Sequence, residues 1–401
     1  MNGHHQPQPV RTVPFFTPGV FALLAIIGIG AFFGAKRFIM GIGAVTNLTD
    51  QYPWGIWIAI DVATGVALAA GGFTTSLLAH VLHRDRYLAV VRPALLTALL
   101  GYTFVGIGLS FDLGRYYYIW HPMIMWQGNS VLFEVGICVM CYMTVLYLEF
   151  FPVVAERFKG GVALPGPLKV LERPAHAALM ASAGVLDKVL PLLILAGVLL
   201  SCLHQSSLGT LMLIAPSKMH PLWFTPISPL LFLLSAVAVG YPMVIVESMV
   251  AARSFRLNPE MDVLTPLSRF IPVFLGLYLA VKIGDMTIRG TWKYLADGSP
   301  QAPWFVAEML FGVIVPFGML LAEKVRRTPS LLFSAALLVV LGVALNRVNV
   351  FLVAYRPPFA QAAYVPHAGE VAITAALIAA LVLLYRFTVM NFPVIAGRSR
   401  A

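Results

Sequence analysis

The sequence predicts an all-α fold, a polytopic transmembrane bundle of about ten helices, and three observations support this prediction. Hydrophobic residues make up 59% of the 401 residues, against roughly half in ordinary globular domains. Charged residues amount to only 11%, and the mean hydropathy is +0.85. The hydrophobic residues also fall in runs close to the ~20 residues that a helix needs to cross the hydrocarbon core of a bilayer.

Ten hydrophobic runs define the predicted helices. They cover residues 19–36, 55–80, 93–112, 129–151, 184–204, 227–250, 269–288, 303–323, 330–348 and 369–390. Residues 19–390 therefore form one predicted transmembrane domain, between cytoplasmic tails at 1–18 and 391–401. The longest connection, about 152–183, is too short for a second domain. No clear small-residue cleavage site follows the first run, so a retained helix is predicted there instead of a cleaved signal.

The distribution of Lys and Arg between alternate loops predicts the orientation of the bundle. About sixteen of them lie on the side of the N-terminus and about eight on the opposite side. Because Lys and Arg are enriched in cytoplasmic loops, both termini are predicted to be cytoplasmic. The net charge of +10 follows from this bias and from attraction to the anionic inner leaflet. Nucleic-acid binding is therefore not predicted.

Most of the unusual charged residues fall in the outer half of the predicted bundle. They are Asp61 on the second helix, Asp112 and Arg115 at the end of the third, Glu134 on the fourth, and Lys282, Asp285, Arg289, Glu308 and Arg347 on the seventh to ninth. An ionisable side chain in the hydrocarbon zone costs at least ~2.5–3.5 kcal/mol, so it is tolerated mainly where it is paired or lines a wet cavity. Several such residues near one face indicate a functional site.

Some of these charges also have a purely structural interpretation. Asp112 and Arg115 have the i,i+3 spacing of a local salt bridge, and the sequence does not decide between this pair and a functional site. Arg347 and Lys282 lie close enough to a membrane surface to extend their charged ends to water. For these two residues the structural interpretation is favoured.

Three outer loops are rich in Trp, Tyr, His and Pro. They read TDQYPWGIW, RYYYIWHPMIMWQGNS and APSKMHPLWFTP. An aromatic belt at the headgroup level explains the Trp residues, but it does not explain His121-Pro122 and His220-Pro221. Such loops suit either a docked partner subunit or the mouth of a site for a flat, polar-headed, long-tailed ligand.

Six segments of the chain carry a resemblance to a known family. They are PWGIWIAIDVATGVALAAGG, VRPALLTALLGY, DLGRYYYIWHP, NSVLFEVGICVMCYMTVLYLEF, HQSSLGTLMLIAPSKMHPLW and VIVESMVAA. They resemble the NrfD/polysulfide-reductase family of integral membrane subunits, and within it most closely the HybB-type subunits of uptake NiFe hydrogenases. The similarity covers about residues 20–255 strongly and the last four helices weakly.

The resemblance implies a subunit of a respiratory oxidoreductase complex in the bacterial inner membrane, with its partner-binding face towards the periplasm. It implies electron exchange between a periplasmic iron–sulfur ferredoxin-like subunit and membrane quinone, menaquinone or ubiquinone, coupled to proton movement. The large and small subunits of a NiFe hydrogenase are the implied partners. A membrane transporter and a passive anchor of another periplasmic oxidoreductase stay open as alternatives, although no inverted repeat is evident.

No redox group is predicted within the chain itself. A membrane b-type haem needs His ligands at similar depth on facing helices. His80 and His83 lie at the inner end of the second helix, whereas His204 is predicted at the outer end of the fifth. Haem is therefore not predicted, although HybB-type proteins have been labelled b-type cytochromes. Cys138 and Cys141 form a CxxC within a helix without further ligands, so neither an iron–sulfur cluster nor another metal site is predicted.

The predicted quinone site lies near the outer surface. The residues predicted to surround the headgroup are His204, Asp112, Arg115 and His121, together with Gln205. Imidazole and guanidinium groups can donate hydrogen bonds to quinone carbonyls. The segment HQSSLG interrupts a hydrophobic run, and it is predicted to let the backbone leave the helix beside a cavity, with Gly209 allowing the turn. A polar helix end that caps its own carbonyls is the alternative.

Four carboxylates are predicted to carry protons. Glu134 and Asp61 are the predicted catalytic carriers, because they lie deeper in the outer half and have no obvious cation on the same helix. Glu149 and Glu247 lie near the inner ends of the fourth and sixth helices. They could mark the inner end of a proton path, although solvated interfacial carboxylates are the favoured interpretation for this pair. Glu134 is the strongest single candidate.

Overall fold

A computed structural model describes residues 7–163, 165–360 and 362–396, and in these ranges it contains helices and no strands. Ten helical segments are long and apolar enough to cross a membrane, which confirms the predicted fold class. They are α1 (Pro18–Met40), α2 (Trp57–Val81), α3 (Asp85–Asp112), α4 (Val131–Arg157), α5 (Leu168–Ile214), α6 (Ser228–Ser254), α7 (Met261–Ile288), α8 (Ala302–Leu321), α9 (Pro329–Val353) and α10 (Ala368–Asn391).

The fifth helix differs most from its prediction. Instead of ending at residue 204, its α-helical part runs without interruption from Glu172 to Thr210. The predicted break at HQSSLG is wrong because His204, Gln205 and Ser207 turn their side chains into the bundle while the backbone stays helical. Gly209 serves close packing instead of a turn, since a Cβ there would lie 2.7 Å from Cα of Pro229 at the start of α6.

The two described ends of the chain lie on the same side of the bundle, which we call the terminal side; the opposite side is the far side. The Val10 amide donates to the Val389 carbonyl at 3.1 Å. The guanidinium of Arg386 on α10 donates to the carbonyls of Phe15 (3.2 Å) and Pro14 (2.6 Å). From residue 7 onwards, the predicted N-terminal tail is therefore bound to the end of α10. Residues 397–401 of the predicted C-terminal tail lie outside the described ranges.

The second span is the centre of the bundle. In its most apolar window 83% of the residues are buried, against 17% for α1, 17% for α4 and 22% for α5. The central span packs against α3 and α6, and α6 also contacts α5, α7 and α9. At the periphery, α1 packs on α10 and α4 on α5. The low burial of α1, α4 and α5 leaves long apolar faces for lipid.

Three of the spans contain π-helical stretches, a distortion that is frequent at functional sites. In α2 the stretch Trp57–Thr64 carries Asp61. In α8 the stretch Leu310–Ile314 begins two residues after Glu308, and in α9 the stretch Asn349–Val353 begins with a residue that contacts Glu308. Local widening of the helix thus occurs at Asp61 in α2 and close to Glu308 in α8 and α9.

Candidate functional site

Buried acidic side chains gather at the far side between α2, α3 and α10. Asp61 is 9% exposed and accepts a hydrogen bond from Thr374 Oγ1 at 2.6 Å. Gly108 on α3 packs directly on it, since a Cβ at Gly108 would lie 3.0 Å from Cβ of Asp61. Asp112 lies within electrostatic range of Asp61, Glu370 and Arg37. We call Asp61, Asp112 and Glu370 the acid cluster.

Glu370 is a fully buried acid that sequence reasoning missed. It occupies the third position of α10, where its Oε2 accepts from the amides of His367 (2.7 Å) and Asn47 (3.2 Å). Its Oε1 accepts from the Tyr364 hydroxyl. The positive end of the helix dipole favours an acid at this position. A capping box, with His367 as the N-cap, fixes the carboxylate, and the pattern HAGE before an apolar run is the signal that could have revealed it.

Arg37 on α1 joins the first span to the end of the third. Its Nε donates to the Phe111 carbonyl at 2.9 Å, and its Nη2 donates to the Leu113 carbonyl. These carbonyls flank Asp112, whose Oδ1 is buried without a hydrogen-bond partner among the described residues. The cluster therefore combines three acids with one nearby guanidinium and keeps one carboxylate oxygen free to accept a hydrogen bond.

Arg115 and His121 lie in the far-side loop between α3 and α4. Arg115 is exposed, and within the described ranges no ion pair joins it to Asp112. The possible i,i+3 salt bridge is therefore not formed. The His121 ring stacks on Tyr118 with centroids 4.2 Å apart and meets Trp120 edge-on. Both residues thus belong to the far-side surface above the acid cluster.

His204 lies at mid-depth in the bundle, which corrects its predicted place at the outer end of a helix. Its ring lies 5.6 Å from the ring of Tyr102, and the side chain is 1% exposed. Tyr102 precedes Asp112 by ten residues on α3, about 15 Å along the helix axis. The structure therefore separates His204 from Asp112, Arg115 and His121, which sequence reasoning placed around one headgroup.

A group of neutral polar side chains surrounds His204. We call Tyr102, Tyr142, Ser201, His204 and Gln205 the tyrosine–histidine cluster. The rings of Tyr102 and Tyr142 meet edge-on at 4.6 Å, and both hydroxyls are directed at Ser201. Gln205 Nε2 donates to the Val66 carbonyl on α2 at 2.7 Å. Tyr102 Oη, Ser201 Oγ, both His204 ring nitrogens and Gln205 Oε1 are buried without a hydrogen bond of ordinary geometry to any described residue.

The second half of the bundle holds a buried ionic cluster centred on Glu308. Both carboxylate oxygens accept hydrogen bonds: Oε1 from Asn346 Nδ2 (2.7 Å), and Oε2 from Trp223 Nε1 and Asn349 Nδ2 (2.8 Å each). Arg347 donates to Asn346 Oδ1 at 2.6 Å, and its guanidinium lies 3.8 Å from the centre of the Phe232 ring. We call Glu308, Asn346, Arg347, Asn349 and Lys282 the ionic cluster.

Lys282 and Arg347 do not extend their charged ends to water, so this part of their structural interpretation is wrong; protein groups hold both cations inside the bundle. They are 2% and 1% exposed. Lys282 Nζ donates to the Leu222 carbonyl at 3.0 Å and lies 5.3 Å from the centre of the Phe305 ring. Neighbouring helices supply a carboxylate, carbonyls and aromatic faces, so both cations are stabilised inside the protein. Asp285 instead pairs locally with Arg289 at 2.6 Å.

Glu134 occupies the first turn of α4, just after the N-cap Ser130. Its side chain is exposed and makes no hydrogen bond or ion pair with the described part of the chain. It therefore points away from the bundle interior, unlike the acid cluster. Cys138, one turn further along α4, is half-buried, and Cys141 is exposed.

Glu149 and Glu247, predicted as solvated interfacial acids, are enclosed by neighbouring helices. Glu149 is 8% exposed, and a Cβ at Gly197 of α5 would lie 2.7 Å from its Oε1. Glu247 Oε1 accepts from the Tyr385 hydroxyl at 2.8 Å, whereas Oε2 is buried without a partner in the described residues. A cavity of about 30 Å³ separates Glu247 from Glu260. Burial raises the pKa of Glu260, which lies in the terminal-side connection before α7.

Ten apolar spans that enclose both paired and unpaired ionisable groups define a polytopic membrane protein adapted to hold charge inside a bilayer. The sequence profile of one family, polysulphide reductase NrfD, matches residues 44–357. The chain belongs to the NrfD family, which confirms the resemblance noted in the sequence.

Several relatives of this chain are named as subunits of oxidoreductases. The probable Ni/Fe-hydrogenase 2 b-type cytochrome subunit of Escherichia coli is 31% identical over 98% of this chain and 95% of its own length. The menaquinone reductase integral membrane subunit of Nitratidesulfovibrio vulgaris is 25% identical, over 93% of this chain and 90% of its own. A selenate reductase subunit of Mesobacillus selenatarsenatis is 23% identical, over 95% and 94%.

The name of the Escherichia coli relative, a b-type cytochrome subunit, does not support the prediction that this chain binds no haem. The position of His204 also contradicts one premise of that prediction. That prediction assumed that no span carries a mid-membrane His, whereas His204 lies there. No group of three His, Cys, Asp or Glu side chains suited to a metal ion occurs in the described ranges. The absence of haem stays a prediction.

Proposed function

We propose that this chain is the integral membrane subunit of a periplasm-facing respiratory oxidoreductase, and that it passes electrons between an iron–sulfur partner subunit and membrane quinone. A NiFe hydrogenase is the proposed enzyme, because a probable hydrogenase b-type cytochrome subunit is 31% identical over nearly the whole chain. The relative named as a menaquinone reductase subunit supports quinone as the membrane substrate. The Lys and Arg bias supports an inner-membrane location with the far side periplasmic.

The observation that carries the proposal is the unpartnered Oδ1 of Asp112, buried at the far side among Asp61, Glu370 and Arg37. Reduction of a quinone to a quinol consumes two electrons and two protons. Asp112 and Asp61 supply the protons to the quinone oxygens, and Arg37 balances their charge. Arg115 and His121 form the loop that covers the headgroup, while His204 and Gln205 act at greater depth.

The electron donor docks on the far side. The loop between α3 and α4 exposes Tyr117 (55%), Trp120 (45%) and Trp126 (71%), and aromatic residues are enriched in protein interfaces. A ferredoxin-like subunit seated there brings its cluster close to the acid cluster. Electrons then reach the quinone without a redox group within this chain. The hydrogenase large and small subunits complete the assembly.

The test is hydrogen-dependent reduction of a menaquinone analogue by the purified complex, with Asp112→Asn compared with the unaltered chain. We expect quinone reduction to fall by about a hundredfold or more, the usual contribution of a general acid. Reduction of a viologen dye by the hydrogenase should be unchanged. Asp50→Asn, an exposed far-side acid, is the matched control. Equal quinone reduction in both variants would exclude the acid cluster as the site.

A reduced-minus-oxidised absorption spectrum of the same preparation tests the prediction that the chain contains no haem. We expect no b-type α band that co-purifies with this chain. A band that is lost in His204→Phe would overturn the prediction and identify His204 as an axial ligand.

A further inference from the structure

Unpartnered polar atoms are concentrated at one place in the bundle. Eleven buried side-chain nitrogen and oxygen atoms in the described ranges have no hydrogen-bond partner, and five of them belong to Tyr102, Ser201, His204 and Gln205. A polar group without a partner is strongly unfavourable in the hydrocarbon zone, where no bulk water can compensate it. The concentration indicates that water molecules complete these hydrogen bonds in the working protein.

The tyrosine–histidine cluster lies between two buried acids at different depths. On its far side, Gln205 is bonded to Val66, which follows Asp61 by five residues on α2, about 7.5 Å along the helix axis. On its terminal side, Glu149 follows Tyr142 by seven residues on α4, about 10 Å along the axis. Glu149 also packs on Gly197, four residues before Ser201 on α5. The cluster therefore fills the depth between Glu149 and Asp61.

The side chains of the cluster have the chemistry that proton relay requires. Hydroxyl and neutral imidazole groups each donate and accept hydrogen bonds, so a proton that arrives on one side of such a group can be replaced by one that leaves on the other. None of the five carries a fixed charge that would trap a proton. Because most of their hydrogen-bonding capacity is unfilled by protein, water can link them.

We propose that the tyrosine–histidine cluster is a hydrated proton relay that connects Glu149 with Asp61 and supplies quinone reduction with protons from the terminal side. This inference rests on the proposed function. For each quinone, the iron–sulfur partner delivers two electrons, and Asp61 and Asp112 pass two protons to the quinone oxygens. Asp61 regains each proton through His204, Ser201 and Glu149 from water at the terminal side.

The experiment uses the assembled complex in sealed vesicles of known orientation. Reduced viologen drives quinone reduction, and pH-sensitive dyes follow proton disappearance on each side of the membrane. The variants are Ser201→Ala, Tyr142→Phe and His204→Phe, each of which removes polar atoms while retaining most of the packing. Tyr241→Phe is the matched control, because Tyr241 is a buried tyrosine on α6 that packs among phenylalanines outside the relay.

We expect the unaltered complex to take up protons from the terminal side. Ser201→Ala and His204→Phe should slow quinone reduction about tenfold or more, with the affinity for a quinone analogue unchanged and the control at the original rate. Variants that keep both the rate and terminal-side uptake would overturn the relay. Failure of the unaltered complex to bind or reduce quinone would instead overturn the proposed function. If His204→Phe does not fold, the rate and the proton uptake of Ser201→Ala alone test the relay.

Discussion

The tyrosine–histidine cluster in α3 to α5 and the ionic cluster in α7 to α9 differ in how their buried polar groups are stabilised. Around Glu308, both carboxylate oxygens accept hydrogen bonds, and two cations lie within the same interior. Around His204, the groups are uncharged and most of their hydrogen-bonding capacity is unfilled. In the ionic cluster only Arg347 Nε and Asn349 Oδ1 lack a partner in the described ranges. Its largely paired charges fix helix positions, whereas the unpaired neutral groups around His204 leave hydrogen bonds for water to complete. We therefore expect the ionic cluster to contribute mainly to stability, whereas proton movement is the role proposed for the tyrosine–histidine cluster.

Glu308→Gln should have the largest effect on stability. The amide oxygen can replace one acceptor only, and Lys282 and Arg347 lose the buried negative charge that compensates them. Breaking a directly paired buried ion pair costs about 3–5 kcal/mol. Glu308 compensates the two cations without an ion-pair contact in the described ranges, so this range is an upper bound, and we expect a markedly lower thermal midpoint in detergent. The exposed pair Glu323 and Arg327 is the control, because Glu323→Gln should cost about 1 kcal/mol or less. Equal midpoints for the two variants would remove the distinction between the clusters.

Gly209→Ala tests the close contact between α5 and α6. The added methyl group would collide with Pro229 and the Ser228 carbonyl, both within 2.7 Å of the new Cβ. Overpacking of this kind costs about 1–3 kcal/mol, and thermal unfolding measures it. Gly28→Ala on α1, where a Cβ meets no atom within 4 Å, should leave the midpoint unchanged. An unchanged thermal midpoint for Gly209→Ala would favour the turn predicted from the sequence over the close helix contact.

Ser201→Ala should change stability by about 1 kcal/mol or less, and towards greater stability, because it deletes a buried hydroxyl that has no ordinary hydrogen bond. The same substitution is expected to slow quinone reduction. This combination of unchanged or higher thermal midpoint with lower turnover distinguishes a relay from a packing role. A loss of stability similar to that of Glu308→Gln would show that the two clusters serve the same purpose.

Glu134→Gln should have the smallest effect on folding, within about 0.5 kcal/mol, because the side chain is exposed. The sequence predicts that this substitution lowers quinone turnover, as expected of a far-side proton carrier. The assembled complex is the required sample, since a docked partner would cover this surface. Unchanged turnover and unchanged pH dependence of the rate would exclude Glu134 from the proton path.

The ten spans could be predicted because hydrophobic length alone determines them. The depth and direction of the polar residues could not be predicted in the same way. His204 lies at mid-depth because α5 extends beyond its hydrophobic run, and Lys282 turns inward because α8 supplies Glu308. The first outcome depends on where the helix ends and the second on a neighbouring helix, and the hydrophobic run of a single span reveals neither. Arg37 and Glu370 were missed for the same reason, since their partners lie on α3 and in the connections before α2 and α10.

The strap of residues 8–15 along α10 has a consequence for biogenesis. Its hydrogen bonds to the Val389 and Ile395 carbonyls and from Arg386 join the segment before α1 to the end of α10. These hydrogen bonds cannot form before α10 has been synthesised, so the contact between α1 and α10 is completed only after the other spans are made. A truncation before Arg386 would therefore leave the spans inserted without the contacts that Arg386 makes with the segment before α1. We expect such a chain to be degraded by membrane proteases.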